Sequence, residues 1–233
     1  MAAVNLLETK CLTKVYGGLK ANEDVDFHLP VGQIHALIGP NGAGKSTFVG
    51  MVSGRIEATA GEVWFDGQPV THLPAHKRMQ LGMAYTFQIT AIYARLSLFE
   101  NIALALGSRD RAAAKAALDR VGLANRADQI AGDLAYGHQR LLEIAMGVAQ
   151  SPRLLILDEP TQGLAESEIE GFNTLIKSLA GQTTILLIEH NMNVVMALAE
   201  EITVLESGRF LARGTPEDIR NNKQVQDAYL GSG

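Results

Sequence analysis

Only one cysteine, Cys11, occurs in 233 residues, so no internal disulfide can form and a reducing compartment fits. No apolar run approaches the ~18 to 20 residues that a membrane span requires. The opening stretch MAAVNLLETKCLTK lacks the long apolar segment of a signal peptide. Membrane association is therefore expected to come through a partner. A basic stripe is also missing, and the net charge is −5, which argues against nucleic acid as the main partner. Internal repeats, low-complexity tracts and obvious linkers are absent. What remains is a chain of ordinary globular composition, 47% apolar and 19% charged, long enough to bury a large core as one domain or two lobes.

The apolar runs are short and alternate with helical patterns. VNLLE, VDFHL and EVWFDG read as strands, and IHALI is an apolar strand ending at Gly39. LLILDEP and TTILLIEH are near-continuous apolar runs, the pattern of strands buried on both faces of a parallel sheet. ITVLESGRFLARG reads as two strands around a turn at Ser207-Gly208. Helical periodicity puts Ile169, Phe172, Leu175, Ile176 and Leu179 on one face of 166–180, and Leu141, Ile144, Ala145 and Val148 on one face of 139–150. Between about residues 90 and 150 there is almost no strand signal. The pattern predicts an α/β core interrupted by a mostly helical lobe.

GPNGAGKST, with Gly39, Pro40, Asn41, Gly42, Ala43, Gly44, Lys45, Ser46 and Thr47, fits the phosphate-loop pattern G-x-x-x-x-G-K-[ST] between a strand and a helix. Its glycines let backbone N–H groups curl around phosphates, and the helix start adds positive potential there. Lys45 is expected to reach the β- and γ-phosphates, and the Ser46 hydroxyl to ligate Mg²⁺. Asp158 and Glu159 end a buried strand at the edge where open α/β sheets bind ligands. Asp158 is placed to hold Mg²⁺ through its water shell, and Glu159 to polarise an attacking water. His190 ends a second apolar strand at the same edge, where a neutral imidazole could hydrogen-bond a γ-phosphate and hold the water in line. A histidine at a strand end also serves as a satisfied structural residue. Gln88, in AYTFQIT, could ligate Mg²⁺ or orient water. Tyr16, in TKVYGG, could stack on a nucleotide base or pack at the rim.

In their order along the chain, Tyr16, GPNGAGKST, Gln88, LAYGHQR, LLILDEP and His190 resemble the ATP-binding subunits of ABC transporters. The resemblance spans nearly the whole chain. It implies a P-loop NTPase (RecA-like) core with an antiparallel β portion, at about residues 1–88 and 152–233. A helical subdomain is then inserted at about 89–151. It further implies that LAYGHQR is the family's signature motif, with Ala135, Tyr136, Gly137 and His138 closing over the γ-phosphate bound on a second chain. The cofactors implied are ATP and Mg²⁺. The partners implied are a second ATPase subunit, identical or different, membrane-spanning permease subunits and a solute-binding protein, with no nucleic acid. The place implied is the cytoplasmic face of the membrane.

The tyrosine of AYG, Glu189-His190 followed by Asn191-Met192, GLAE, and the closing run GTPEDIRNNKQVQDAYLG look like the importer ATPases for branched-chain amino acids. Urea and amide importers and lipopolysaccharide-export ATPases share parts of this pattern. Two departures from the family stand out. Ala135 replaces a serine and loses its hydroxyl, and Ala165 stands where an aspartate is usual. Residues 89–105 are apolar enough to meet a permease or to pack the helical lobe. Two other classes leave residues unexplained. A soluble ABC ATPase of translation or DNA repair usually carries two modules or a long coiled coil. A small-molecule kinase gives LAYGHQR and His190 no role.

Overall fold

The computed structural model describes residues 4–86 and 91–230. Two long strands open it, β1 (Asn5–Tyr16) and β2 (Leu19–Pro30), followed by β3 (Ile34–Ile38) and α1 (Lys45–Ser53). Next come β4 (Ala60–Phe65), β5 (Gln68–Pro69), α2 (Ala75–Gln80) and β6 (Met83–Thr86). The helical stretch contains α3 (Leu98–Leu106), α4 (Arg111–Arg120) and α5 (Tyr136–Val148). The chain then returns to the sheet with β7 (Leu154–Asp158), α6 (Glu166–Ala180), β8 (Thr184–Ile188) and α7 (Met192–Leu198). It closes with β9 (Glu201–Glu206), β10 (Arg209–Gly214), α8 (Pro216–Asn221) and α9 (Lys223–Leu230).

Two sheets form. One is antiparallel, in the order β2-β1-β4-β5; the other runs β10-β9-β3-β8-β7-β6, parallel throughout except for the β10–β9 hairpin. The central strands β3, β7 and β8 are buried on both faces, which is why their sequences are almost wholly apolar. Alternation sorts their side chains. Leu154 and Ile156 of β7 pack with α1 and the antiparallel sheet, whereas Leu155 and Leu157 pack with α5 and α6. The same alternation puts Asp158, two residues beyond Ile156, on the α1 side.

Expected and observed elements differ in three places. Helix α5 starts at Tyr136, one residue before the helix opening expected at Gly137, but it buries Leu142 while Leu141, expected on the inner face, is only half-buried. Its first turn has no apolar stripe, because that turn faces a cavity. Helix α2 gives no apolar signal either: its inward residue is Arg78, whose guanidinium donates to the carbonyls of Met51, Val52, Thr71 and Leu73. It thereby closes the C-terminal turn of α1. Strands β1 and β2 run well beyond VNLLE and VDFHL through register shifts, one of them between Thr9 and Leu12 where Cys11 has φ 46.

His35 of β3 is fully buried, its Nε2 2.8 Å from Thr203 Oγ1 and its ring edge-on to Phe27 at 4.9 Å. Burial first, and the Arg213 charge second, depress its pKa to about 3, against the opposing pull of Glu201. The folded chain thus holds His35 neutral, while the unfolded chain protonates it below its ordinary value of 6.5. Its contribution is present above that value and is lost as pH falls toward 3, with a slope of about 1.4 kcal/mol per pH unit. Urea unfolding of His35→Phe between pH 7 and 4 should show a pH dependence shallower by about one proton than that of the unsubstituted chain.

Candidate active site

The loop Gly39–Gly44 leaves the C-terminal end of β3 and feeds directly into α1. It is pressed against the rest of the core. Gly44 has φ 101, and a Cβ there would lie 2.4 Å from the Ala21 carbonyl oxygen, so only glycine fits. The Gly208 N–H donates to the Ala43 carbonyl at 2.9 Å, tying the loop to the β9–β10 turn. Lys45 Nζ curls back over the loop, donating to the carbonyls of Gly39 (2.7 Å) and Pro40 (3.1 Å). Burial lowers the Lys45 pKa, and the nearby carboxylates of Glu159 and Asp158 work against that shift. A cavity of about 530 Å³ opens over the loop, lined by residues 41–47, Lys20, Glu159 and Gly208 among others.

Helix starts differ in their capping. The first turns of α3 and α4 are capped by Ser97 and Asp110, and Glu168 reaches back to the Ala165 N–H at the start of α6. Helices α1 and α5 start on Gly44 and Ala135 with no side-chain cap. Their first N–H groups are left for an external acceptor. Helix α2 likewise starts uncapped, on Pro74, so what sets α1 and α5 apart is that they begin within GPNGAGKST and LAYGHQR.

Beyond β7 the chain makes a tightly held turn. Glu159 sits at φ 47, a left-handed conformation that costs a non-glycine residue about 1–3 kcal/mol. Its N–H donates to the Ile188 carbonyl at 2.8 Å, and Arg140 of α5 donates to its carbonyl at 3.0 Å. Arg140 is itself buried and ion-paired with Glu143 at 2.5 Å. The fully buried Glu189 carboxylate accepts from the N–H (3.1 Å) and hydroxyl of Thr161, and from the N–H groups of His190 (2.8 Å) and Asn191 (2.9 Å). His190 is exposed, its Nδ1 3.9 Å from Glu159 Oε2 and 4.0 Å from Glu189 Oε2. Asp158 is buried and accepts a hydrogen bond from the Tyr85 hydroxyl. Burial, then that bond, raises the Tyr85 pKa.

The structure thus gathers residues 41–47 and Glu159 about one cavity, with His190 beside Glu159. Tyr16 is half-exposed at the end of β1 with Lys14 Nζ 5.0 Å from its ring centroid, and the residues of this region that line the cavity are Leu19, Lys20 and Ala21. Gln88 lies outside the described residues. None of residues 135–138 lines the phosphate-loop cavity. Gly137 and His138 line a separate one of about 520 Å³ with Glu168 and Phe172. The Tyr136 ring lies against Gly163, where an added Cβ would come within 2.8 Å of it. Leu98 and Ile102 of α3 pack into the core, while Tyr93 and Leu104 stay exposed.

The sequence matches the ABC transporter family over residues 22–162, more than half of the chain. This chain belongs to the ABC transporter family. Its closing residues 211–233 also match the C-terminal segment described as branched-chain amino acid ATP-binding cassette transporter. The cassette is 37% identical over 249 aligned residues to the high-affinity branched-chain amino acid transport ATP-binding protein BraF of Pseudomonas aeruginosa, covering 97% of this chain and 98% of that one. It is 38% identical over 251 residues, with the same coverage, to the corresponding protein LivG of Escherichia coli K12. The ADP conformation of MJ1267, an ATP-binding cassette of an ABC transporter, superposes with a TM-score of 0.89 at 25% identity, over 97% of this chain and 99% of that one. The cassette is therefore a nucleotide-binding ATPase subunit of an ABC transporter, on a P-loop fold of mixed α/β sheets. Among its described residues no helix is long and apolar enough to cross a membrane.

Tyr85, Arg140 and Glu189 were given no role by the sequence. Glu189 and its donors are nearly adjacent to, or part of, quoted motifs, but nothing in TTILLIEH says that its carboxylate turns inward to Thr161, 28 residues away. Replacing Glu189 by Gln leaves an amide N–H₂ facing two N–H donors. The Glu189→Gln cassette should lose about 1–3 kcal/mol of stability in urea unfolding. Its steady-state ATPase rate should drop roughly tenfold, with ATP affinity within twofold of the unsubstituted chain.

Proposed function

We propose that the cassette powers uptake of branched-chain or closely related amino acids, working beneath separate membrane-spanning permease subunits on the cytoplasmic face. A solute-binding protein delivers the cargo from the far side. The observation that carries this reading is likeness to BraF and LivG over nearly the full length of both chains, reinforced by the match at residues 211–233.

The placement of the described residues supports the following chemistry for the chain's own side chains. The N–H groups of residues 42–47 and the Lys45 ammonium hold the β- and γ-phosphates of ATP. Ser46 and Asp158 offer hard oxygen donors of the kind Mg²⁺ takes, few in number because phosphate and water oxygens complete its shell. Gln88 is assigned to the same ion. When bound, Mg²⁺ neutralises charge on the phosphates. Glu159 accepts a proton from the attacking water as its oxygen bonds the γ-phosphorus and the bond to the β–γ bridging oxygen breaks. His190, beside Glu159, keeps that carboxylate and the water in line. Tyr16 is assigned to the rim of the base site.

The uncapped start of α5, with Ala135, Tyr136, Gly137 and His138, is assigned to the γ-phosphate of a second cassette, because none of those residues lines this chain's own phosphate cavity. Two cassettes, identical or different, then build two composite sites. Exposed Tyr93 and Leu104 are assigned to the permease contact.

In membrane vesicles carrying the whole transporter, Glu159→Gln should cut steady-state hydrolysis by about 100-fold or more. ATP-driven uptake of radiolabelled leucine should fall with it, while ATP binding stays within twofold. Hydrolysis at the unsubstituted rate would remove Glu159 from the chemistry. Intact hydrolysis by the unsubstituted complex without any leucine uptake would remove the cargo assignment.

A further inference from the structure

Tyr85 lies in β6, the edge strand that pairs in parallel with β7, and its register partner is Ile156. Both side chains face α1, and Asp158, two residues beyond Ile156, emerges on that same face. The phenol is thereby carried to the carboxylate, and its hydroxyl donates to Oδ2 of Asp158. The ring does not reach that point by chance packing. The Arg55 guanidinium, just past the end of α1, stacks 3.7 Å from the ring centroid, and Arg55 Nε is fixed in turn on Ser53 Oγ at 3.1 Å. The phenol is thus clamped between the helix that carries the phosphate loop and the strand that carries the acid pair.

We propose that Tyr85 is a positioning residue for Asp158: its hydroxyl fixes Oδ2, so that Oδ1 is presented to the hydration shell of the bound divalent cation. This rests on the reading of Asp158 as the cation-holding acid. A buried carboxylate with one oxygen pinned has fewer orientations to lose when the cation binds, and outer-shell partners of metal-holding groups typically contribute 10–100-fold in metal affinity. Asp158 without that donor would rotate, and part of the cation affinity would be lost while the phosphate loop stayed intact.

The test is Mn²⁺ binding, followed by electron paramagnetic resonance, to the full chain loaded with a non-hydrolysable ATP analogue. Tyr85→Phe keeps the ring, its packing and the face-on Arg55 contact, and removes the hydroxyl with its bonds to Asp158 and Arg55. It should weaken Mn²⁺ about tenfold, while affinity for the analogue in excess EDTA stays within twofold, which also verifies that the variant is folded. The double variant Asp158→Asn/Tyr85→Phe should bind Mn²⁺ no more weakly than Asp158→Asn alone. If Asp158→Asn weakens Mn²⁺ and Tyr85→Phe leaves it within twofold, the proposal is overturned and the reading of Asp158 stands. Additive losses in the double variant overturn it equally, since Tyr85 would then act by another route. An unchanged affinity in Asp158→Asn sinks both.

Discussion

The turn that leaves β7 is the constraint on which the site depends. Glu159 is held in a left-handed backbone conformation that the residue does not favour. The conformation persists because three elements grip the turn: β8 through the Ile188 carbonyl, the 189–191 segment through the buried Glu189 carboxylate, and α5 through Arg140. Burying the Glu189 charge costs several kcal/mol. Its four donors, each worth about 1.5–3 kcal/mol to a charged acceptor, offset that cost as well as the strain at Glu159. The result is a carboxylate at a fixed place over the phosphate loop, with His190 exposed beside it.

Arg140 gives this arrangement a mechanical side. Helix α5 presents residues 136–138 at its N-terminal turn and, in its second turn, grips the carbonyls of Asp158 and Glu159. A buried ion pair with Glu143 keeps the guanidinium from leaving. Arg140 therefore links the second turn of α5 directly to the turn that carries Glu159. On the other side, Tyr136 packs on Gly163, so the same helix also touches the segment after the acid pair. The helical stretch and the sheet core meet at the acid pair itself.

Much of this was legible in the sequence, for reasons that differ by element. Strands β3, β7 and β8 are buried on both faces, so their apolar runs announce them, and the phosphate loop is a contiguous string whose chemistry is carried by backbone and by neighbours in sequence. Helix α2 was not legible because its inward residue is an arginine that binds carbonyls instead of an apolar side chain. The start of α5 was legible from Gly137 in LAYGHQR and not from periodicity, because its first turn faces a cavity and carries no apolar stripe. Tyr85 and Glu189 were missed for a third reason: their partners are fixed by strand register and by a side chain turning inward, across 73 and 28 residues of chain. Periodicity records which face a residue occupies, and pairing across strands decides what it touches there.

Amide hydrogen exchange on the unsubstituted, ligand-free cassette tests the central claim most directly. If the turn after β7 is gripped as described, the Glu159 and Thr161 amides should exchange with the slow, cooperative kinetics of the β7 and β8 core, protected by roughly a thousandfold or more. Exchange of those two amides at the rate of an exposed turn such as Gly17-Gly18 would show that the turn is not held, and the account of how Glu159 keeps its place would be wrong.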